Sequence, residues 1–312
     1  MNIQAYYLNM TKELVIIGGA SAAQSAAIYA SRAGVDVTVV ADEYGGQINN
    51  TDKVENWLGT KSIGGPELAE KFTEHMRDYD VEEVTGQKAV DVRRPDENFV
   101  VELEDGSTLQ ALSVVIATGG SRRRLNVEGE EKFAAKGVGY CAVCDGPLYQ
   151  GEEVAVIGAG YAATEAVDYL TDITEKIFVI NRSEGYSGEE ITINRIEDHE
   201  KVEHWENAEV EEFYGDNLME GLKVEHDGEI KNIEVPGAFI EIGTKPNSKI
   251  SDLVERNESM RIKVDDDMET AEEGLFAAGD VTNRGVQQLV VSAGEGCVAG
   301  LNAAEYVKDV KY

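Results

Sequence analysis

Two cysteines two residues apart, Cys141 and Cys144, are the residues best suited to chemistry in this chain, and Asp145 follows directly behind them. Cysteines at this spacing can close a small disulfide, and their proximity lowers one thiol's pKa so that a thiolate can attack. A carboxylate beside the pair can move the proton that a two-electron exchange requires. Zinc is a competing use, but a single C-x-x-C supplies only half of a tetrahedral ligand set. The lone Cys297 and the scattered His75, His199, His204 and His226 provide no second pair. Two idle thiols are the other alternative. A thioredoxin domain fits poorly, because there the pair follows a strand of one small βαβ domain. Here it lies between two glycine-rich turns, at Gly18 and Gly158.

Those turns belong to elements that would hold nucleotides. The apolar run Leu14–Ile17 suits a buried parallel strand. It leads through Gly18-Gly19-Ala20-Ser21-Ala22-Ala23 into a small-residue helix carrying Ala26, Ala27, Ala30 and Ala33, with Val37–Val40 as the next strand. Such a βαβ unit sets a pyrophosphate on a helix N-terminus. Only the first fingerprint glycine, Gly18, is present; Ala20 replaces the second, and Ala23 is an accepted variant at the close-packing position. A plain βαβ unit with a small-residue interface is the alternative for this stretch. The second turn, Gly158-Ala159-Gly160-Tyr161-Ala162-Ala163, is a complete G-x-G-x-x-A between the strand Glu153–Ile157 and a helix from Thr164 to Leu170. It is the stronger signal, and Gly158, Gly160 and Ala162 are assigned to that nucleotide. The strand Lys176–Ile180 then ends in Asn181-Arg182-Ser183-Glu184. A 2′-phosphate needs cations there. Only Arg182 is basic, so NADPH is disfavoured.

Length and composition bound the rest. A chain of 312 residues with 42% hydrophobic content suits two domains with substantial cores. No apolar run reaches the ~18 residues of a membrane span, and the first residues lack the pattern of a secretory signal. Met10 is an alternative start, with Met1–Asn9 a disordered or mis-assigned extension. A C-x-x-C with one further cysteine argues for redox use in a reducing cytoplasm. The net charge of −32 argues against nucleic-acid binding and suits a cytoplasm of very high salt, where repulsion is screened. The only basic cluster, Arg122-Arg123-Arg124, reads as a solvated loop, a docking surface for an acidic partner or a contact to a cofactor phosphate.

The coarse pattern predicts a helix over Glu67–Tyr79 and a small antiparallel insertion over Val81–Leu112 that turns at Asp105-Gly106. It also predicts a β-meander over Lys201–Val235 and a strand at Ala238–Gly243. Asp265-Asp266-Asp267 reads as a solvated face rather than a cation site. Trp57 and Trp205 read as packing residues, and Cys297 as buried and inert.

From about Glu13 to Tyr306 the chain resembles the low-molecular-weight thioredoxin reductase family of FAD-linked disulfide oxidoreductases. The residues that carry the resemblance are Gly18-Gly19, the helix Ala26–Ala30, Gly45-Gly46-Gln47, Val54-Glu55-Asn56-Trp57 and Ala117-Thr118-Gly119. To these are added Cys141-Ala142-Val143-Cys144-Asp145-Gly146, Phe276-Ala277-Ala278-Gly279-Asp280-Val281 and Ser292-Ala293-Gly294-Glu295-Gly296. The resemblance implies an α/β fold of two Rossmann-like, doubly wound, three-layer nucleotide-binding domains with small antiparallel β-meander insertions. Residues 1–119 and 244–312 would form the FAD-binding domain, and residues 120–243 the pyridine-nucleotide-type domain bearing the cysteines. FAD would be held by Gly18, Ala20, Ser21, Ala22, Gly46, Gln47, Asn56, Ala117, Thr118, Gly119, Asp280, Gln287 and Gln288. Asp280 would bind its ribityl chain. Cys144 would exchange electrons with the flavin, Cys141 would attack a protein disulfide, and Asp145 would be the acid/base.

The resemblance further implies a homodimer acting on thioredoxin or a similar small redox protein. Its middle domain would rotate about hinges near Gly119-Gly120 and Gly243-Thr244-Lys245-Pro246. Members that use NADPH carry a His-Arg-Arg run and a further arginine where this chain has Asn181-Arg182-Ser183 and Ser187. That departure resembles a subset using NADH, reduced ferredoxin or a second flavin, so the second dinucleotide is left as NADH, a second flavin or none. A flavin-dependent ferredoxin–NAD(P) oxidoreductase and a non-catalytic nucleotide-sensing scaffold are the alternatives. The charge makes one prediction at once: the melting temperature rises by about 10 °C or more between roughly 0.1 M and roughly 2 M KCl. A scanning-calorimetry series checks it, and an unchanged transition removes the high-salt reading.

Overall fold

The computed structural model describes residues 11–50, 54, 56–284 and 286–311, apart from the side chains of Asn50 and Cys144. The Met1–Asn9 extension, Glu55 of the Val54–Trp57 run and the Cys144 thiol therefore lie outside the description. In chain order the elements begin with β1 (Lys12–Ile17), α1 (Ser21–Arg32), β2 (Val37–Ala41), α2 (Gly65–Arg77), β3 (Val81–Thr85), β4 (Ala89–Arg93), β5 (Phe99–Leu103), β6 (Thr108–Ile116) and β7 (Gly120–Arg122). The middle stretch holds β8 (Val138–Gly139), α3 (Ala142–Asp145), β9 (Glu153–Ile157), α4 (Tyr161–Thr171), β10 (Lys176–Asn181) and α5 (Glu190–Ile196). It continues through β11 (Val202–Glu206), β12 (Ala208–Gly215), β13 (Met219–His226), β14 (Glu229–Ile233) and β15 (Gly237–Ile240). The chain closes with β16 (Thr244–Pro246), β17 (Leu275–Ala277) and α6 (Leu289–Lys311). The described residues divide into two compact units. Those up to Ser121 and from Lys245 onward form one, and Arg122–Thr244 the other.

The first unit is built on a seven-stranded sheet of order β3-β2-β1-β6-β5-β4, with β17 also paired to β6. The β1 strand is parallel to both β2 and β6, placing Ile17 opposite Val40 and Ile116. β6 shows how one sequence serves two surroundings. Its first half alternates, with Leu109 and Ala111 buried between exposed Thr108 and Gln110, and pairs antiparallel with β5. Its second half, Ser113–Ile116, is continuously buried and pairs parallel with β17. Alternation marks a strand with one wet face, and a continuous apolar run marks one covered on both faces.

Two expectations are corrected. The antiparallel insertion was expected to begin at Val81. Residues Val81–Thr85 instead extend the parallel sheet beside β2, with Val81 opposite Val37. Likewise Val202–Glu206 is no part of the meander. It is the parallel edge strand beside β10, with Val202 opposite Ile177. Both are edge strands whose outer side is solvated, so their composition imitates a meander strand. The second unit otherwise follows the duplicated plan. Its five-stranded sheet has the order β11-β10-β9-β15-β8, with β12-β13-β14 as a separate antiparallel sheet. The β12–β13–β14 sheet turns through Asp227 and Gly228, both at positive φ.

Helix packing in the first unit depends on small residues. α6 buries Ser292, Glu295, Gly296, Ala299, Gly300 and Ala303, the three-and-four spacing of one helix face. It lies directly on α1. A Cβ at Gly296 would stand 2.1 Å from the Ala22 carbonyl oxygen, and one at Gly300 would stand 2.4 Å from that of Ala26. Glycine at these positions permits the backbone approach. Cys297, expected to be buried, is half-buried beside this seam and has a free thiol. Among the described residues no helix is long and apolar enough to cross a membrane. Gly296→Ala should destabilise the fold by about 1–3 kcal/mol through overpacking. Gly294→Ala in the same helix, where an added methyl meets nothing within 4 Å, should stabilise it by about 0.5–1 kcal/mol. Urea melts of the two variants check the pair.

Candidate functional site

In the first unit the turn Gly18-Gly19-Ala20 forms as β1 ends and α1 begins. Gly18 has φ +136°, and a Cβ there would fall 2.2 Å from the Ala117 carbonyl oxygen at the end of β6. Gly19 approaches the Glu43 carbonyl as closely, at 2.1 Å. Ala20 is the N-cap of α1, with φ −99° and ψ −170°, extended backbone that any residue adopts. The alanine in place of the second fingerprint glycine therefore carries no strain. The Gln24 amide donates to the Gly19 carbonyl at 2.9 Å and to Thr73 Oγ1 at 3.1 Å, which holds the turn from below. The first turn of α1 has neither a side-chain cap nor an acidic residue. Its leading N–H groups, those of Ser21 and Ala22 among them, thus suit an anion.

Around this turn the structure gathers most of the expected residues of the first unit. Gly46 lies over the Ala20 methyl, 3.0 Å from where its own Cβ would be, and Gly279 lies at the same distance from Ala22. Ser292 Oγ donates to Asp280 Oδ1 at 3.2 Å. Burial pushes the Asp280 carboxyl up, against the lowering effects of Ser292 and the Arg261 guanidinium. Glu295, not foreseen as functional, is buried next to it. It accepts the Gly279 N–H at 2.8 Å and the Thr282 hydroxyl at 3.3 Å, and burial likewise raises its pKa. The Asn56 amide donates to Gln288 Oε1 at 3.0 Å, joining two residues far apart in sequence. Gln287, beside them, is also engaged. Gln47 donates to the Gly120 carbonyl at 2.8 Å. Thr118 and Asn247 exchange two hydrogen bonds, Thr118 Oγ1 to the Asn247 carbonyl at 2.8 Å and Asn247 Nδ2 to the Thr118 carbonyl at 2.9 Å. Gly119, at φ +63°, accepts the Asn247 N–H.

The second unit repeats the turn. Gly158 has φ +130°, and a Cβ there would lie 2.4 Å from the Glu241 carbonyl oxygen at the end of β15. Gly160 is the N-cap of α4, with open space around it and no acidic residue or side-chain cap in the first turn. The close-packing alanine is Ala163, which is buried with its methyl 3.4 Å from that point. Ala162, assigned from the sequence to the nucleotide, is exposed in the first helical turn. At the end of β10 the Asn181 side chain is spent on its own loop. It donates to the Gly185 carbonyl at 2.8 Å and accepts from Ser183. The Gly185 N–H is bound by Glu206 at 2.8 Å. Arg182 is exposed, and the loop that follows it carries Glu184 and is bound by Glu206 at Gly185, carboxylates that would repel a further phosphate held in this loop.

The cysteine motif forms a short helix in the same unit. Cys141 is half-buried and disulfide-bonded, and its carbonyl accepts the Asp145 N–H at 3.1 Å. The Ala142 N–H, directly after Cys141, donates to Glu241 Oε1 at 3.1 Å. Burial pushes the Glu241 carboxyl up to about 7, although that hydrogen bond and the Arg122 charge pull the other way. Of the basic cluster, Arg123 and Arg124 are exposed, as a solvated loop would be, but Arg122 is half-buried. Burial makes its charge harder to hold, and the carboxylates of Glu241 and Asp145 oppose that effect. Tyr140 donates to Glu130 at 2.8 Å, and burial first, then that carboxylate, raises its hydroxyl to about 12. The signal for Glu241 was in the sequence, as a carboxylate within the apolar run Ala238-Phe239-Ile240-Glu241-Ile242. No cluster of three metal-ligating side chains occurs among the described residues. In the acidic triplet, Asp265 accepts the N–H groups of Asp267 and Glu269, and Asp266 pairs with Arg284 at 2.8 Å.

Gly158→Ala should cost about 1–3 kcal/mol, from the carbonyl contact and the positive φ together. Gly160→Ala should stay within about 0.5 kcal/mol of wild type. Thermal melts separate the two, and equal melting would show that the first glycine is no close crossing.

Known proteins share this arrangement. The pyridine nucleotide-disulphide oxidoreductase family model matches residues 12–296. The F component of alkyl hydroperoxide reductase in Staphylococcus aureus is 37% identical over 298 residues, covering 95% of this chain and 59% of the relative. A Bacillus subtilis protein described as NADH dehydrogenase is 37% identical over 298 residues, covering 95% of this chain and 58% of its own length. The chain thus spans less than two thirds of these curated relatives. The thioredoxin reductase of Streptococcus pyogenes superposes with a TM-score of 0.80 at 32% identity, covering 96% of this chain and 99% of that one. These matches imply FAD as cofactor, and the uncapped turn at Gly18 with Asp280 nearby fits its pyrophosphate and ribityl groups.

Proposed function

The chain belongs to the pyridine nucleotide-disulphide oxidoreductase family, and from that premise we propose that it is an FAD-dependent reductase that delivers electrons through Cys144 and Cys141 to thioredoxin or a similar small redox protein. One observation carries this reading. A disulfide-bonded Cys141 opens a short helix that has Asp145 in its only turn, in a unit with its own dinucleotide turn. Bound FAD supplies the electron pair.

The chain's own residues do the rest. The N–H groups of Ser21 and Ala22 would hold the pyrophosphate, Asp280 with Ser292 would bind the ribityl chain, and the backbone near Gln288 would face the isoalloxazine. In the thiol exchange, Cys144 is the sulfur that receives electrons and Cys141 the one that attacks the partner's disulfide. Asp145 carries the proton between them and solvent. The acidic surroundings of Arg182 support discrimination against a 2′-phosphate, so NADPH is a poor donor.

Cys144→Ser should keep its FAD absorbance while reduction of a thioredoxin disulfide falls by about 10³-fold or more. Retained disulfide reduction in that variant would end the reading. In a separate anaerobic titration with NADH, NADPH and reduced ferredoxin, NADPH at micromolar levels should leave the flavin absorbance unbleached. Prompt bleaching would overturn the donor assignment.

A further inference from the structure

Glu241 is placed where a carboxylate is costly and where the fold alone does not ask for one. It follows the last residue of β15, in a position continuous with the buried run Gly237–Ile240. Its backbone is used by the sheet: its N–H donates to the Ile157 carbonyl at 2.8 Å, and its carbonyl lies over Gly158. Its side chain reaches the cysteine motif, with Oε1 3.1 Å from the Ala142 nitrogen. One residue therefore contacts both the dinucleotide turn, through its carbonyl, and the N–H next to Cys141, through its carboxylate.

We propose that Glu241 is a positioning residue for the redox pair: its half-buried carboxylate, held on the Ala142 N–H, takes up a proton when the Cys141 disulfide opens, and so makes the ease of reduction depend on pH. The inference deepens the reading of Cys141 as redox-active and rests on it. Opening the disulfide breaks one S–S bond and takes two electrons. These come from reduced flavin in the enzyme, or from a dithiol that is itself oxidised to a disulfide. One proton taken up yields a thiol and a thiolate. The thiolate adds a negative charge to the motif whose Ala142 N–H the Glu241 carboxylate already holds, and like charges in one small site disfavour one another's ionised forms. A second proton bound by Glu241 restores the net charge that the site had before reduction.

The surrounding charges do not remove this coupling. Arg122, on β7, acts on Glu241 and Asp145 together, so its one positive charge is divided between two carboxylates. Tyr140 lies near Arg122, but its hydroxyl is bound to Glu130. Asp145 is the second carboxylate, on the cysteine helix itself. Ile157 and Gly158, which meet Glu241 from the β9 side, carry no charge. Burial brings this carboxyl to about 7, so its charge changes between the two pH values at which the site is tested.

The test equilibrates FAD-loaded wild type, Glu241→Gln and Glu241→Ala with mixtures of reduced and oxidised dithiothreitol, anaerobically, at roughly pH 6 and pH 8.5. Thiol alkylation then counts the reduced fraction. At the lower pH, Glu241 is protonated and the wild type and Glu241→Gln should agree within about twofold. At the higher pH, the wild-type carboxylate opposes the thiolate. Both variants should then be reduced about tenfold more readily, the effect of one pKa unit. Glu241→Ala guards against an effect peculiar to the amide. If the variants differ from wild type by the same factor at both pH values, or not at all, Glu241 is only a structural ligand of Ala142 and the proposal falls. A wild-type disulfide that dithiothreitol cannot reduce at either pH overturns the redox reading, and this inference with it.

Discussion

Both halves of this protein depend on one close crossing, in which a glycine turn passes over the carbonyl that ends the neighbouring strand. Gly18 meets the Ala117 carbonyl and Gly158 meets the Glu241 carbonyl, each at a distance no side chain tolerates and each at a φ that favours glycine. The crossing brings the start of the following helix against the carboxyl edge of the sheet. There, uncapped N–H groups are left for an anion. In the first unit the helix so placed is then locked by α6 through Gly296 and Gly300. That lock also brings Ser292 and Glu295 beside Asp280 and Gly279. In the second unit, the residue whose carbonyl is crossed also carries the carboxylate that holds the cysteine helix.

Much of this was legible in the residues. The strand–turn–helix runs at Gly18 and Gly158, the small-residue helix α1 and the C-x-x-C with its following aspartate all announce themselves by spacing. What escaped did so for physical reasons. Edge strands such as Val81–Thr85 and Val202–Glu206 have one solvated side, so their polarity resembles that of an antiparallel meander, and only pairing partners distinguish the two. The pairing of Asn56 with Gln288 joins residues at opposite ends of the first unit's sequence, which no local pattern reports. The packing of Ala163 against Gly158 did not escape, since it is the last residue of the G-x-G-x-x-A run.

Charge placement was the least legible feature. A net charge of −32 reads as a uniform acidic surface, yet the informative carboxylates are those that burial sets apart from it. Desolvation pushes all three of Asp280, Glu295 and Glu241 up from their ordinary values. The first two stand beside the turn assigned to FAD and the third beside the cysteine motif. Raised carboxyls stabilise the fold when protonated, and that contribution is lost as pH rises through their folded values. An apolar residue would be the cheaper choice at each of these positions for the core alone.

The central claim is that the Cys141 disulfide and a bound flavin form one electron reservoir. Anaerobic reductive titration of the FAD-loaded protein with dithionite, followed by flavin absorbance and thiol counting, tests it most directly. The account predicts that the protein takes up twice the electrons its flavin alone accepts, with Cys141 recovered as a free thiol at the end point. Uptake limited to the flavin's own share, with the disulfide still closed, would contradict it.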